Sequence, residues 1–395
     1  MPPAKSPPHA LRSFILLYVL MYAAFGVASP FWPRFFETRG MSPEQIGVLL
    51  GLGTTVRLIA GPVVARVADR LQQLRHVLAA AAALAACLAF GIPWVGGFWL
   101  LLIVRLCHEA ALTPTTSLAD ALALGASKSR APPGMGFEYG WVRGSASAAF
   151  VFGTLVAGQV IGWTALTSIA WMQGVLLLGT VASTMLLPVS HSITDAAPEP
   201  SSSRAIRELI GIVVFRRMVL IAALVFGSHT MHDAFAVIRW NAAGISSGTM
   251  SVLWSEAVAA EVIVFVLIGP RLVDKFGPGG AAAIAAIASI LRWIVMASST
   301  NPGTLAIVQP LHGMTFALLH LSCMRLIRAA VPQHLAATGQ ALYALAPGII
   351  TALLTLSSGI LYARLGASAF LLMALLSALA LPLCFGLRNS DQRSN

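Results

Sequence analysis

QIGVLLGLGTTVRLIAGPVVARVA, residues 45–68, decides the reading of this chain. The only charges in this largely apolar run are Arg66 near its end and Arg57 at its centre, twelve residues from both Gln45 and Asp69. At a helical rise of about 1.5 Å per residue, Arg57 lies about 18 Å from either end. That is the midplane of a hydrocarbon core about 30 Å thick. A cation at that depth is costly unless it faces a partner or a wet cavity, so it marks a functional position.

The rest of the chain has the same character. Of 395 residues 57% are apolar and 10% charged, against about 25% charged in soluble domains. The composition describes an integral membrane protein. Cys87, Cys107, Cys323 and Cys384 are scattered through apolar segments with no CxxC pair, so neither a disulfide framework nor a zinc site is indicated. The first apolar segment is too long for the core of a cleaved signal and reads as a retained helix.

Twelve segments are candidates to span: Leu11–Phe36, Gln45–Ala68, His76–Val95, Phe98–Leu124, Phe137–Ile161, Thr164–Pro188, Met218–Trp240, Thr249–Ile268, Gly280–Ser299, Gly303–Arg328, Thr338–Leu361 and Ala367–Leu387. A net charge of +11 raises the question of nucleic acid, but its distribution answers it. With both termini in the cytoplasm, eighteen lysines and arginines fall on inner loops and helix ends, and four (Arg34, Arg39, Arg239, Arg364) fall outside. That is the positive-inside pattern of a membrane protein. Arg57, Arg105 and Arg292 remain within the membrane.

HSITDAAPEPSSSRAIRELIGIVVFRR, residues 191–217, is the longest polar stretch, a Pro/Ser-rich linker and a short helix with basic ends. It divides the chain into an N-terminal six-helix half (1–189), a cytoplasmic linker (190–217) and a C-terminal six-helix half (218–395). The halves echo each other. GPVVARVADRLQQLR carries Asp69-Arg70 after the second helix of the first half, and GPRLVDKFGPGG carries Asp274-Lys275 at the matching place in the second. Paired halves built from three-helix repeats are the architecture of major facilitator transporters.

The two loops resemble the major facilitator signature G-x-x-x-D-[R/K]-x-G-[R/K]. Asp69, Arg70, Asp274, Lys275 and Gly277 match it, while Ala65, Gln72 and Pro270 depart. The resemblance implies a latch that holds helix ends in one conformation. FEYGWVRGSASAAF, EVIVFVLIGPRLVDKFG, Leu291–Trp293 and LHGMTFALLHLSCMRLIR together resemble the phenylpropionate permease family, relatives of the oligosaccharide:proton symporters. The resemblance runs from Leu11 to Leu387. It implies an all-α membrane fold of twelve helices in two halves and alternating access. It also implies no enzymatic activity and no cofactor.

In those symporters an acid on the fourth helix and an arginine after the FE[FY]G run face the substrate. The resemblance maps these roles onto Asp120 and Arg143; the alternative is an ordinary interfacial ion pair. Arg105 has His108 and Glu109 on its own helical face, so Arg105 and Glu109 are expected to neutralise each other. Arg57 has no acid at helical spacing. Its counter-charge is Asp120, Glu109 or a bound anion, and a guanidinium suits a carboxylate.

Protonatable groups collect in the C-terminal half: His229, His232 and Asp233, then Glu256, Glu261, His312 and His320. A carboxyl group in a partly dry site takes up a proton near neutrality, which a proton-coupled carrier requires. The symporters use an arginine on the ninth helix, a histidine on the tenth, and an acid one turn later. Arg292 and His312 match, but Thr315 stands where the acid belongs. Glu261, with Arg292 as its partner, and Asp233 are the replacements. His320 is read as a histidine satisfied by a neighbouring helix.

Other readings fall away. The glycines Gly144, Gly153, Gly158 and Gly162 fail the antiporter motif, and Gly158 with Gly162 is read as close helix packing. His108-Glu109 lacks a zincin's second histidine, and no phosphate-cradling loop is present. Phe31, Trp32, Trp94 and Trp240 are read as interfacial anchors. The expectation is a monomeric, proton-coupled carrier in the bacterial inner membrane, with no nucleic-acid partner. Its small-molecule cargo is an organic anion such as an aromatic carboxylic acid. The carboxylate would meet Arg57 or Arg143, and the apolar body Trp254 and Phe316. The alternatives are a sugar or nucleoside symporter, an exporter, or a sensor or assembly factor with the same fold.

Overall fold

The computed structural model describes residues 8–127, 137–188 and 203–391, with the side chains of Pro8, His9, Asp69 and residues 388–391 outside the description. Apart from one isolated bridge between Ser127 and Phe137, regular structure among the described residues is helical. The helices are α1 (Pro8–Ala28), α2 (Trp32–Thr38), α3 (Pro43–Leu71), α4 (Leu74–Gly91), α5 (Phe98–Gly125), α6 (Tyr139–Trp163), α7 (Ser168–Thr184), α8 (Ser203–Gly211) and α9 (Val213–Gly227). They continue with α10 (Thr230–Ala242), α11 (Ser247–Ile263), α12 (Gly269–Ser298), α13 (Pro302–Val308), α14 (Leu311–Gly313), α15 (Leu319–Ala330), α16 (Ala336–Leu365) and α17 (Ala369–Asp391).

Among the described residues, eight helical stretches are long and apolar enough to cross a membrane. Two of them, Ser247–Ser298 with 52 residues and Gln333–Leu387 with 55, are far longer than the ~20 residues a bilayer needs. Each is interrupted at a glycine in the left-handed region, Gly277 with φ 68° and Gly366 with φ 53°. Only a residue without Cβ adopts that backbone cheaply, and Pro278 reinforces the first break by withholding an N–H.

The expected segment Leu11–Phe36 is likewise two helices. Pro30 and Pro33 lie at the break, where an interior helix would lose backbone hydrogen bonds. Of the expected anchors, Trp94 is 79% exposed, but Phe31, Trp32 and Trp240 are buried. Hydropathy identifies an aromatic near a helix end without telling which side it faces. Gly158 packs against Ser251, whereas nothing approaches Gly162 within 4 Å, so the small pair is not one packing seam.

The chain forms two compact units. The first comprises Met1–Met41, Thr55–Asp195 and Ser246–Val252. Its core joins Phe14, Leu17, Tyr18 and Met21 of α1 to Leu118 and Ala119 of α5 and Val142 and Ala146 of α6. A Cβ on Gly153 would stand 2.7 Å from the carbonyl of Ala23, so glycine permits the close approach of α6 to α1. The second unit comprises Ser42–Thr54, Ala196–Ile245 and Leu253–Asn395. Its core joins Phe215, Met218, Ile221 and Val225 of α9 to Leu319 and Cys323 of α15 and Ala380 and Cys384 of α17. All four cysteines are free.

Candidate functional site

Polar chemistry within the membrane-spanning helices gathers in three clusters, two in the first unit and one in the second. In the first cluster Glu109 on α5 sits between two guanidinium groups. Arg105, one turn earlier, bonds it directly, and Nε of Arg57 on α3 stands 3.8 Å from its other oxygen. Arg105 is buried, also meets His108 Nδ1 at 2.7 Å, and lies 4.9 Å from the Trp32 ring centroid. The Arg57 side chain is 54% exposed. Glu109 thus meets two guanidinium groups, one from its own helix and one from α3.

The second cluster centres on Asp120, near the C-terminal end of α5. Its Oδ1 accepts from Tyr18 at 2.5 Å and from Tyr139 at 2.7 Å. Arg143 Nη1 is 3.7 Å from the same oxygen, too far for a hydrogen bond. Arg143 instead donates to the Tyr22 hydroxyl and lies over that ring, 5.3 Å from its centroid. Asp120 and Arg143 are thus neighbours, with three tyrosines arranged around them. The sequence reading missed these tyrosines. Tyr18 and Tyr22 sit one turn apart on α1, and that spacing of phenols in an apolar helix was the available signal.

The third cluster lies in the second unit. Arg292 on α12 is completely buried. Its Nη2 donates to Gln309 Oε1 at 2.6 Å and approaches His232 Nε2 at 3.3 Å, while Nη1 approaches His312 Nδ1 at 3.2 Å. Arginine can only donate, so each imidazole nitrogen facing it is an acceptor, and each ring carries its hydrogen on the far side. On the far side of His312 stands Glu261, with Oε2 at 3.5 Å from Nε2. On the far side of His232 stands Asp233, with Oδ1 at 3.3 Å from Nδ1. The result is a continuous chain, Glu261–His312–Arg292–His232–Asp233. The expected direct partnership of Glu261 with Arg292 is bridged by His312. Gln309, three residues before His312, was also missed; a glutamine within an apolar helix was its signal.

Backbone irregularity surrounds this chain. The π-helical turns Val264–Ile268 and Met314–Leu318 begin just after Glu261 and His312, where π-bulges often accompany function. Trp254 stacks on His232 with ring centroids 4.8 Å apart, and Phe316 on His312 at 5.7 Å. Thr315, at the vacant acid position, instead bonds His229 Nε2 at 2.8 Å. His320 bonds the Tyr343 hydroxyl at 3.1 Å on α16. One Glu256 oxygen is buried without a hydrogen-bond partner among the described residues.

Of the expected latch, Asp274 pairs with Arg325 of α15, and Lys275 lies 5.2 Å from the Phe276 ring centroid. Arg70 is exposed, and the side chain of Asp69 lies outside the described residues.

Buried ionisable groups on long apolar helices are the construction of a secondary transporter. The chain belongs to the MFS_1 like family, whose model matches residues 11–373, and it is an integral membrane transporter of the major facilitator type. It is 32% identical over 330 residues to the "Probable 3-phenylpropionic acid transporter" of Escherichia coli (strain K12), covering 80% of this chain and 82% of that one. It is 24% identical to the "Maltose permease" of Geobacillus stearothermophilus, covering 84% and 82%. Its fold is shared with the nucleoside transporter NupG at a TM-score of 0.80 and 16% identity, covering 96% and 98%. A bacterial homologue of the human lysosomal transporter Spinster matches at a TM-score of 0.73 and 15% identity, covering 98% of both chains.

Proposed function

We propose that this protein is a proton-coupled carrier of small organic anions, of the aromatic or arylalkyl carboxylate class, working by alternating access in a bacterial inner membrane. The observation that carries the proton coupling is the placement of Arg292 between two imidazoles, each aimed at a carboxyl group. A second proton on either ring would occupy the nitrogen that now accepts from Arg292. The contact would become donor against donor, and the arginine would have to move. Proton loading and the packing of Arg292 are therefore mutually exclusive, which is what coupling requires.

The anionic cargo is supported by Arg143, which is partly exposed and whose neighbouring carboxylate is already engaged with tyrosines. The name of the relative 32% identical to this chain points to the same chemistry. Trp254 and Phe316 back the two histidines of the second unit.

The proposed layout has twelve spans in two six-helix halves with both termini cytoplasmic, functioning as a monomer. The breaks at Gly277 and Gly366 divide the two longest stretches, and α5 and α7 complete the set. The test is substrate-dependent proton uptake by the purified protein in liposomes, with arylalkyl carboxylates as cargo. Transport without proton uptake overturns the coupling.

A second reading, symport of a polyhydroxylated neutral solute, is favoured by the buried, unpartnered oxygen of Glu256, an acceptor suited to a hydroxyl. Uptake of sugar or nucleoside unaffected by carboxylates would select it.

A further inference from the structure

The tyrosines around Asp120 do more than fill space. A carboxylate oxygen has two lone pairs, and Oδ1 of Asp120 receives two phenolic hydrogens, from Tyr18 and Tyr139. That oxygen is also the one nearest Arg143. The tyrosines thereby saturate the atom that would otherwise draw the guanidinium into a direct ion pair. Arg143 turns to Tyr22, which it meets as a donor. The Tyr22 hydroxyl hydrogen is left over, and so are the Nε and Nη2 hydrogens of Arg143. None of them has an acceptor among the described residues, and the Arg143 side chain is 45% exposed. A phenolic O–H and the free edge of a guanidinium, side by side, form a set of donors without acceptors. The group that satisfies such a set is an oxoanion.

We infer that Arg143 and Tyr22 together bind the substrate carboxylate, with Tyr22 a direct donor to it, and that Tyr18 and Tyr139 are positioning residues that occupy Asp120 and keep Arg143 available. The inference rests on the organic-anion reading above. It has a consequence that a purely structural role lacks. Removing one phenolic hydroxyl frees a lone pair on Asp120. The carboxylate then competes with the substrate for Arg143, so anion binding weakens although neither Tyr18 nor Tyr139 touches the ligand. Removing the charge of Asp120 in the same protein abolishes the competitor and restores binding.

The experiment is equilibrium binding of 3-phenylpropionate and, as the neutral probe, 3-phenylpropionamide to the full-length protein in lipid nanodiscs, with thermal unfolding of each variant. Wild type is expected to prefer the acid. Tyr22→Phe should weaken the acid about tenfold, the loss of one charge-assisted hydrogen bond, and weaken the amide, whose carbonyl accepts only a neutral one, by less. Tyr18→Phe and Tyr139→Phe should each weaken the acid several-fold, on the order of an exposed ion pair regained by Asp120. Adding Asp120→Asn to either should bring the acid affinity back. Persistent weakness in the Tyr18→Phe, Asp120→Asn double variant overturns the positioning role, and unchanged acid affinity in Tyr22→Phe overturns the direct one. If wild type shows no preference for the acid, the organic-anion reading itself falls. A tyrosine that serves only packing would lower thermal stability, and Asp120→Asn would not rescue it.

Discussion

Arg57 and Arg143 show how differently two membrane arginines can be balanced. Arg57 shares Glu109 with Arg105. Arg57→Ala should insert into the membrane at wild-type abundance or better, because the translocon penalty for a central arginine, about 2.5–3.5 kcal/mol, is removed. If the carboxylate is held at Arg57 instead of at Arg143, the variant's affinity for an anionic substrate should fall ten- to a hundred-fold, the loss of a charged hydrogen bond of about 1.5–3 kcal/mol. Arg57→Lys should recover only part of it, since an ammonium lacks the planar fork. Normal affinity in the alanine variant would remove Arg57 from the site. Asp120 and Arg143 should couple only weakly. Their separation of 3.7 Å and partial exposure place the interaction at no more than about 1 kcal/mol in a double-mutant cycle. A larger coupling would mean that they form a direct pair in the membrane and that the tyrosines do not intervene.

At the scale of elements, α11 and the helix running from Pro302 to Ala330 meet where Glu261 faces His312. A Cβ on Gly313 would lie 2.6 Å from the Ala260 carbonyl and 2.8 Å from a Val264 methyl. Ala260 precedes Glu261, and Gly313 follows His312. The glycine therefore sets the spacing that brings those side chains to 3.5 Å. Gly313→Ala should force the helices apart, cost about 1–3 kcal/mol as overpacking does, and weaken proton coupling together with thermal stability. A variant of full stability and full coupling would show that the spacing is not critical.

The sequence made the spanning elements legible because apolar length is a one-dimensional property. It exposed Arg57, Asp120, Arg143, Arg292 and His312 because a charge stands out in an apolar run. It did not expose the role of Tyr18, Tyr22, Tyr139 or Gln309, since phenols and amides are unremarkable in composition and matter through neighbours distant in sequence. The burial of Trp32 and Trp240 was hidden for the same reason. Hydropathy also passed over the π turns, whose residues are as apolar as any helix.

For the whole molecule, the proposed proton-coupled cycle turns on which group carries the proton. Thr315 removes the acid that the related symporters keep one turn after the histidine, and it is spent on a bond to His229. Two carboxyl groups remain at the ends of the chain through Arg292, Glu261 beside His312 and Asp233 beside His232. Either is placed to exchange a proton with an imidazole whose other nitrogen senses the arginine. Withdrawal of Arg292 from one imidazole lets that ring accept a second proton; its return expels one. Neutralising the acid that carries the proton removes the group that alternates between charged and uncharged. Glu261→Gln or Asp233→Asn should therefore abolish accumulation of substrate driven by a pH gradient. Exchange of labelled for unlabelled substrate should persist, because it requires no net proton transfer. Both reactions can be followed in the same proteoliposomes, so a folding defect, which stops both, is distinguished from uncoupling, which stops one. Uphill accumulation retained in both variants would exclude these acids. The driving ion or the proton site would then have to be sought at His312 itself, at Glu256, or among the acids of the first unit.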